Sequence, residues 1–156
     1  MARTYTVSFE NVTISAAQDL VALKGSTGKT CKLVRCWLGA SNTTLQTAQS
    51  LRLNVKYGSA TVTLGSGGAA GTIVPVDPGD AAASFTARTN DTTPATTSGS
   101  FSRLVPQGVH NYGGWDWTLR TPIVFGLNEG AVFELLSTVT GTCAFSGGVE
   151  VEETGS

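Results

Sequence analysis

With one histidine, one methionine and three cysteines among 156 residues, the chain has little from which to build a catalytic or metal centre. The lone histidine, His110, lies in the segment GVHNYGG. A hydrolytic triad would need it beside an activated Ser or Cys, yet no G-x-S-x-G elbow and no cysteine-protease signature is present. His110 therefore reads as a hydrogen-bonding surface residue. Zinc sites draw on Cys and His at close, regular spacings, and Cys31, Cys36 and Cys143 contain no CxxC pair. No catalytic residues, metal or cofactor are expected. An odd cysteine count also argues against a disulfide framework. Cys31 and Cys36, five apart on an expected strand, should point to opposite faces and fail to pair. Three reduced, buried thiols suit a chain made in a cytoplasm.

Charge is scarce as well. Only 13% of residues are charged, ten basic against eleven acidic, for a net charge of −1. That leaves no basic stripe for nucleic acid. No apolar run approaches the ~20 residues of a spanning helix, so no membrane role is expected. Met1 leads directly into TYTVSFENV, with neither the charged nor the apolar region of a secretory leader.

What the chain does contain is glycine, serine, threonine and alternation. Tyr5, Val7 and Phe9 alternate with Thr4, Thr6, Ser8 and Glu10, the signature of a strand buried on one face. Leu51, Leu53, Val55 and Tyr57 repeat it against Arg52, Asn54 and Lys56. Cys143, Phe145, Val149 and Val151 repeat it again against Glu150 and Glu152. Further strands are expected within residues 19–24, 32–38, 72–76, 100–105, 115–119 and 131–139, separated by turn clusters. The triplets Asn11-Val12-Thr13, Asn42-Thr43-Thr44 and Asn90-Asp91-Thr92 read as turns. One short helix is predicted near residues 78–87, with Asp77 as its cap and Pro78 in its first position. The polar stretch 89–100 reads as a loop, and Gly65-Ser66-Gly67-Gly68 as a mobile hairpin tip. The expected fold is all-β: one antiparallel, jelly-roll-like β-sandwich domain spanning residues 1–156.

Three local patterns bear on chemistry. GSTGKT (residues 25–30) resembles the end of a phosphate-binding loop, but Leu23 stands where the first glycine belongs, and no helix pattern follows. It reads as a hairpin turn that binds no nucleotide. Asp116, Glu129 and Glu134 offer carboxylates for a glycosidase pair only if the fold converges them. In NYGGWDW, Trp115 and Trp117 share one face of a strand with Asp116 opposite. Core packing, a protein interface and sugar stacking all suit such a pair. Trp115, Trp117, Tyr112 and His110 form the candidate interface set.

The segments YTVSFENVTISAAQDLVAL, CKLVRCWLG, DPGDAAASFTARTNDTT, GGWDW and GGVEVEE, in this order over nearly the whole chain, resemble a family of small jelly-roll proteins of tailed bacteriophages. These are the head decoration, or cement, proteins. The resemblance implies a structural protein of the virion rather than an enzyme, synthesised in the host cytoplasm. It would bind the major capsid protein at subunit junctions on the capsid surface and stabilise the head, as a homo-oligomer with a trimer favoured. It carries no set of functional residues. Alternatives are a carbohydrate-binding module displayed on a virion, a small glycan-degrading enzyme, and a tail or head-closure component.

Overall fold

A computed structural model describes residues 1–42, 44 and 46–155. Among these residues every regular element is a strand, and the strands form two packed antiparallel sheets. The five-stranded sheet holds β1 (Arg3–Ile14), β3 (Lys29–Ala40), β7 (Ile73–Pro75), β12 (Trp115–Phe125) and β14 (Cys143–Gly155), in the order β12-β3-β14-β1-β7. The seven-stranded sheet holds β2 (Gln18–Lys24), β4 (Ser50–Gly58), β6 (Ala69–Ala70), β8 (Thr86–Asp91), β10 (Phe101–Arg103), β11 (Gln107–His110) and β13 (Gly130–Leu135). Its order is β10-β4-β13-β2-β8-β6, with β11 also paired to β4. A small ribbon joins β5 (Val62–Thr63) to β9 (Thr96–Thr97).

The chain alternates between the sheets from β1 to β4 and again from β11 to β14. That interleaving sets β1, β14, β3 and β12 against β2, β13, β4 and β11, which is the jelly-roll-like sandwich expected from the alternation of apolar residues. The inner faces supply the core. Tyr5, Val7, Phe9, Phe145, Val149 and Val151 of one sheet share a single buried cluster with Leu51, Leu53, Val55 and Phe133 of the other. The C-terminal and β4 alternations thus turn inward as their spacing predicts.

The predicted helix at residues 78–87 is absent. Asp77 and Pro78 do begin a turn, but Asp77 Oδ1 accepts from the Gly79 N–H at 2.9 Å, and the Asp80 N–H returns to the Asp77 carbonyl. The chain is then tied down in extended form by the Tyr5 hydroxyl on the Ala81 carbonyl and by Glu153 on Ser84. A ten-residue helix lies below the length that is stable alone, and three alanines give it no broad apolar face to dock. Phe85, just before β8, and Ala87 within it join the core instead, while Asp91 at the end of β8 is buried against Arg88. Residues 89–100 are likewise more than a loop, since they contain the end of β8 and the whole of β9. The Gly65–Gly68 run is no free tip either. A Cβ at Gly65 or Gly68 would sit 2.1 Å from the carbonyl oxygen of Thr93 or Thr89, so glycine lets backbone lie directly on backbone.

β-Bulges reset the side-chain alternation in several strands. In β3 the pairing to β14 slips at Val34, so Cys31 and Leu33 precede the slip, Cys36 and Leu38 follow it, and all four are buried. Cys31 and Cys36 therefore face the same core, against the expectation of opposite faces, because one extra residue inverts the period. In β1 the bulge lies between Phe9 and Val12, with Asn11 at φ 51° and its N–H on Ser146 Oγ. Asn90 is also left-handed, at φ 57°. In the Asn42-Thr43-Thr44 triplet, Asn42 bonds Ala144 and Thr142, while Thr43 lies outside the described residues.

Candidate functional site

Trp115 and Trp117 begin β12, the last strand of the five-stranded sheet, and both indoles turn toward the core. Trp115 stacks on Phe133 of the opposite sheet at 5.4 Å, tilted by 25°, and lies 6.1 Å from Trp117. Both are half-buried, closing the gap where the two sheets separate. Core packing thus accounts for one side of each ring. His110, the last residue of β11, and Tyr112, on the turn that follows it, stay outside with ring centres 5.4 Å apart. The Tyr112 N–H donates to His110 Nδ1, and its hydroxyl donates to the Gln46 carbonyl. The four candidate residues therefore divide into an edge pair and an exposed pair.

Trp117 also forms part of a concavity that the sequence does not announce. Past Thr118, β12 loops away from β3 and rejoins it at Ile123, spending Leu119–Pro122 on the detour. Pro122 can stand there because β12 has a neighbour on one side only. Between this detour, Tyr57 of β4, and Leu104-Val105 after β10 lies a groove of about 800 Å³. Its wall is mainly apolar, and Leu104 and Val124 remain 45% and 49% exposed. The one charged residue lining it is Arg120.

On the other side of β12 Asp116 faces solvent and pairs with Arg35, whose hydrogen bonds hold its carboxyl below the ordinary range. Arg35 also lies over the Trp37 ring at 5.3 Å. Glu129 accepts from the Tyr57 hydroxyl and the Gly126 N–H, and Glu134 is held by Lys56 and Asn54. Each of the three carboxylates is thus engaged by different partners. Among the described residues no group of three His, Cys, Asp or Glu is arranged to hold a metal ion.

The GSTGKT loop joins β2 to β3, which lie in different sheets, so it is a crossing between layers rather than a hairpin. Gly28 supplies the left-handed turn at φ 75°. Gly25 packs against Gly126, where a Cβ would come within 2.1 Å of its carbonyl oxygen. These glycines serve the turn and a close backbone approach, and Lys29 enters a strand with no helix behind it.

All three cysteines are free and buried. Burial is the main cause that raises each thiol, taking Cys31 to about 12 with help from the Glu153 carboxylate. We expect native protein near pH 8 to resist iodoacetamide, since thiolate is the reactive form. Denaturant should then expose three labelled thiols by mass. Rapid labelling of the native fold would contradict the packing described.

Comparison with protein-family models, curated proteins and solved structures finds no match.

Proposed function

We propose that the chain is a structural protein of a bacteriophage virion, a decoration protein that binds assembled capsid at junctions of the major capsid protein. The observation that carries this reading is the open apolar groove beside β12, with Leu104 and Val124 half exposed on a stiff sandwich. Contiguous exposed apolar surface of this kind suits a protein partner. The free edge of β12 adds unpaired backbone groups onto which an extended capsid segment can align as a further strand. The resemblance of the five segments to head decoration proteins points the same way. So does the near-neutral surface, which favours contact with a lattice over nucleic acid.

A homotrimer is the favoured assembly. Three modest contacts engaged together bind a lattice far more tightly than each would bind a lone subunit. Undecorated capsids should therefore sediment with the protein, whereas isolated capsid subunits should retain little of it. Val124→Glu places a charge on the groove wall without touching the core, and should weaken capsid binding at least tenfold. Capsids that fail to co-sediment folded wild-type protein would remove the proposal. Equal binding by Val124→Glu would move the contact away from the groove.

A further inference from the structure

The outer face of the seven-stranded sheet carries a buried charge cluster. Asp19 on β2 stands directly opposite Glu134 on β13, and Lys56 reaches across from β4. Lys56 Nζ lies 2.5 Å from Glu134 Oε2 and 3.6 Å from Asp19 Oδ1. The side chains of Asp19, Glu134 and Lys56 are only 1%, 8% and 10% exposed. Their cover includes Ala95, which follows β8, and Phe101 of β10, packed on this face with Ala22 and Val132. The Phe101 ring sits 4.7 Å from the Lys56 nitrogen.

The three groups occupy different situations. Glu134 is fully engaged, with Asn54 Nδ2 donating to Oε1 at 2.7 Å and Lys56 on Oε2. Asp19 receives the Ala95 N–H on Oδ2 at 2.6 Å, while its Oδ1 accepts no hydrogen bond and faces the lysine. One cation stands between two carboxyls, so one negative charge is in excess where water is nearly absent. Burial therefore favours a proton on one of them. Desolvation outweighs the lysine for Asp19 and raises its acidity constant above the ordinary carboxylate value.

We propose that this cluster is a self-linking site, where Lys56 Nζ and Asp19 Cγ condense to an intramolecular amide while Glu134 carries the proton. In the reacting state Asp19 is the neutral acid, Lys56 an ammonium and Glu134 a carboxylate. Glu134 takes one proton from Lys56, and the freed amine attacks Asp19 Cγ. The carbonyl electron pair moves to Oδ2, where the Ala95 N–H already points at the developing charge. Glu134 returns its proton to Oδ1, which leaves as water when the carbonyl re-forms, and then accepts the surplus proton from nitrogen. Of the four protons involved, the amide keeps one, water takes two and Glu134 holds the last. The products are neutral, so the buried charges vanish. Lys56 Nζ is held 3.6 Å from Asp19 Oδ1, so the two groups already lie side by side, and such proximity gives a large rate gain.

Mass spectrometry of the denatured full chain tests this. The wild-type protein should weigh one water less than its sequence requires, and a digest should contain one branched peptide joining Asp19 to Lys56. Lys56→Arg and Glu134→Gln should each show the full sequence mass and no branched peptide. Wild-type protein of full mass, with Asp19 and Lys56 recovered in separate peptides, would overturn the proposal. Water loss and the same branched peptide in Glu134→Gln would overturn the part given to Glu134.

Discussion

Phe133→Ala is expected to lower the free energy of unfolding by about 3–5 kcal/mol. Phe133 sits on β13, between β2 and β4 in the seven-stranded sheet, and is 1% exposed. Its ring is the surface on which Trp115 of the other sheet stacks at 5.4 Å. Truncation removes a buried aromatic and leaves a void that neighbouring strands, fixed by their hydrogen bonds, cannot fill. Against a typical total of about 5–15 kcal/mol, that loss is a large share. Urea unfolding followed by tryptophan emission reads both parts of the claim. The midpoint should fall, and native emission should shift to the red as Trp115 loses its cover. A loss under about 1 kcal/mol would mean that the two sheets do not meet through this pair.

Lys56→Met should cost at least as much near neutral pH, and its cost should shrink in acid. The substitution keeps an apolar chain under Phe101 but leaves Asp19 and Glu134 without their cation. In the uncondensed chain, removing one partner of a buried ion pair typically costs about 3–5 kcal/mol, and where Lys56 and Asp19 have condensed the variant loses their covalent tie as well. Desolvation already raises Asp19, and the attraction of Lys56 is one of the influences opposing that rise. Without Lys56, Asp19 rises further. The sign follows from proton counting. Between the ordinary value of 3.8 and the raised folded value, the folded chain holds a proton that the unfolded chain has released. Stability therefore falls as pH climbs through that window and stays low above it. Denaturation midpoints of Lys56→Met measured across this range should rise toward acid. A variant whose deficit stays constant with pH would show that the cluster is not electrostatically coupled.

Much of this architecture was legible in the chain because alternation is a local signal. Tyr5, Val7 and Phe9 reveal their face without reference to any partner, as do Leu51, Leu53 and Val55. What was not legible depends on distant partners. The bulge at Val34 is a mismatch between two strands, and no property of Val34 itself announces it. DPGDAAASFTART carries sound helix-start chemistry, yet the Tyr5 hydroxyl and Glu153, both far away in sequence, hold it extended. The glycine run suggests freedom where it marks contact, since backbone approach is invisible until the neighbour is known.

The edge groove escaped for the same reason, assembled as it is from three separated segments around the Leu119–Pro122 detour. Trp115 and Trp117 stand out in the sequence, but a period of two cannot say whether a shared face looks inward or outward. For the buried cluster a faint signal existed. Asp19, Lys56 and Glu134 each interrupt an apolar strand, in QDLVALK, LNVKYG and AVFELL. A charge on the outer face of a strand normally means solvent, and only the covering segment changes that meaning.

β1 and β14 run antiparallel side by side in the five-stranded sheet, with Arg3 opposite Glu153 and Ile14 opposite Cys143. Tension applied through the two chain ends would therefore act at a single corner of the molecule. Hydrogen bonds of an antiparallel pair lie across the strands, so such a pull loads them one after another from that corner, as a zipper opens. The same force entering through the loops at the ends of β12 or β4 would strain many ladder bonds together. A tether fused to either terminus is thus the gentlest handle by which to peel this fold apart. A load borne along its sheet edges meets the sandwich in its stiffest direction.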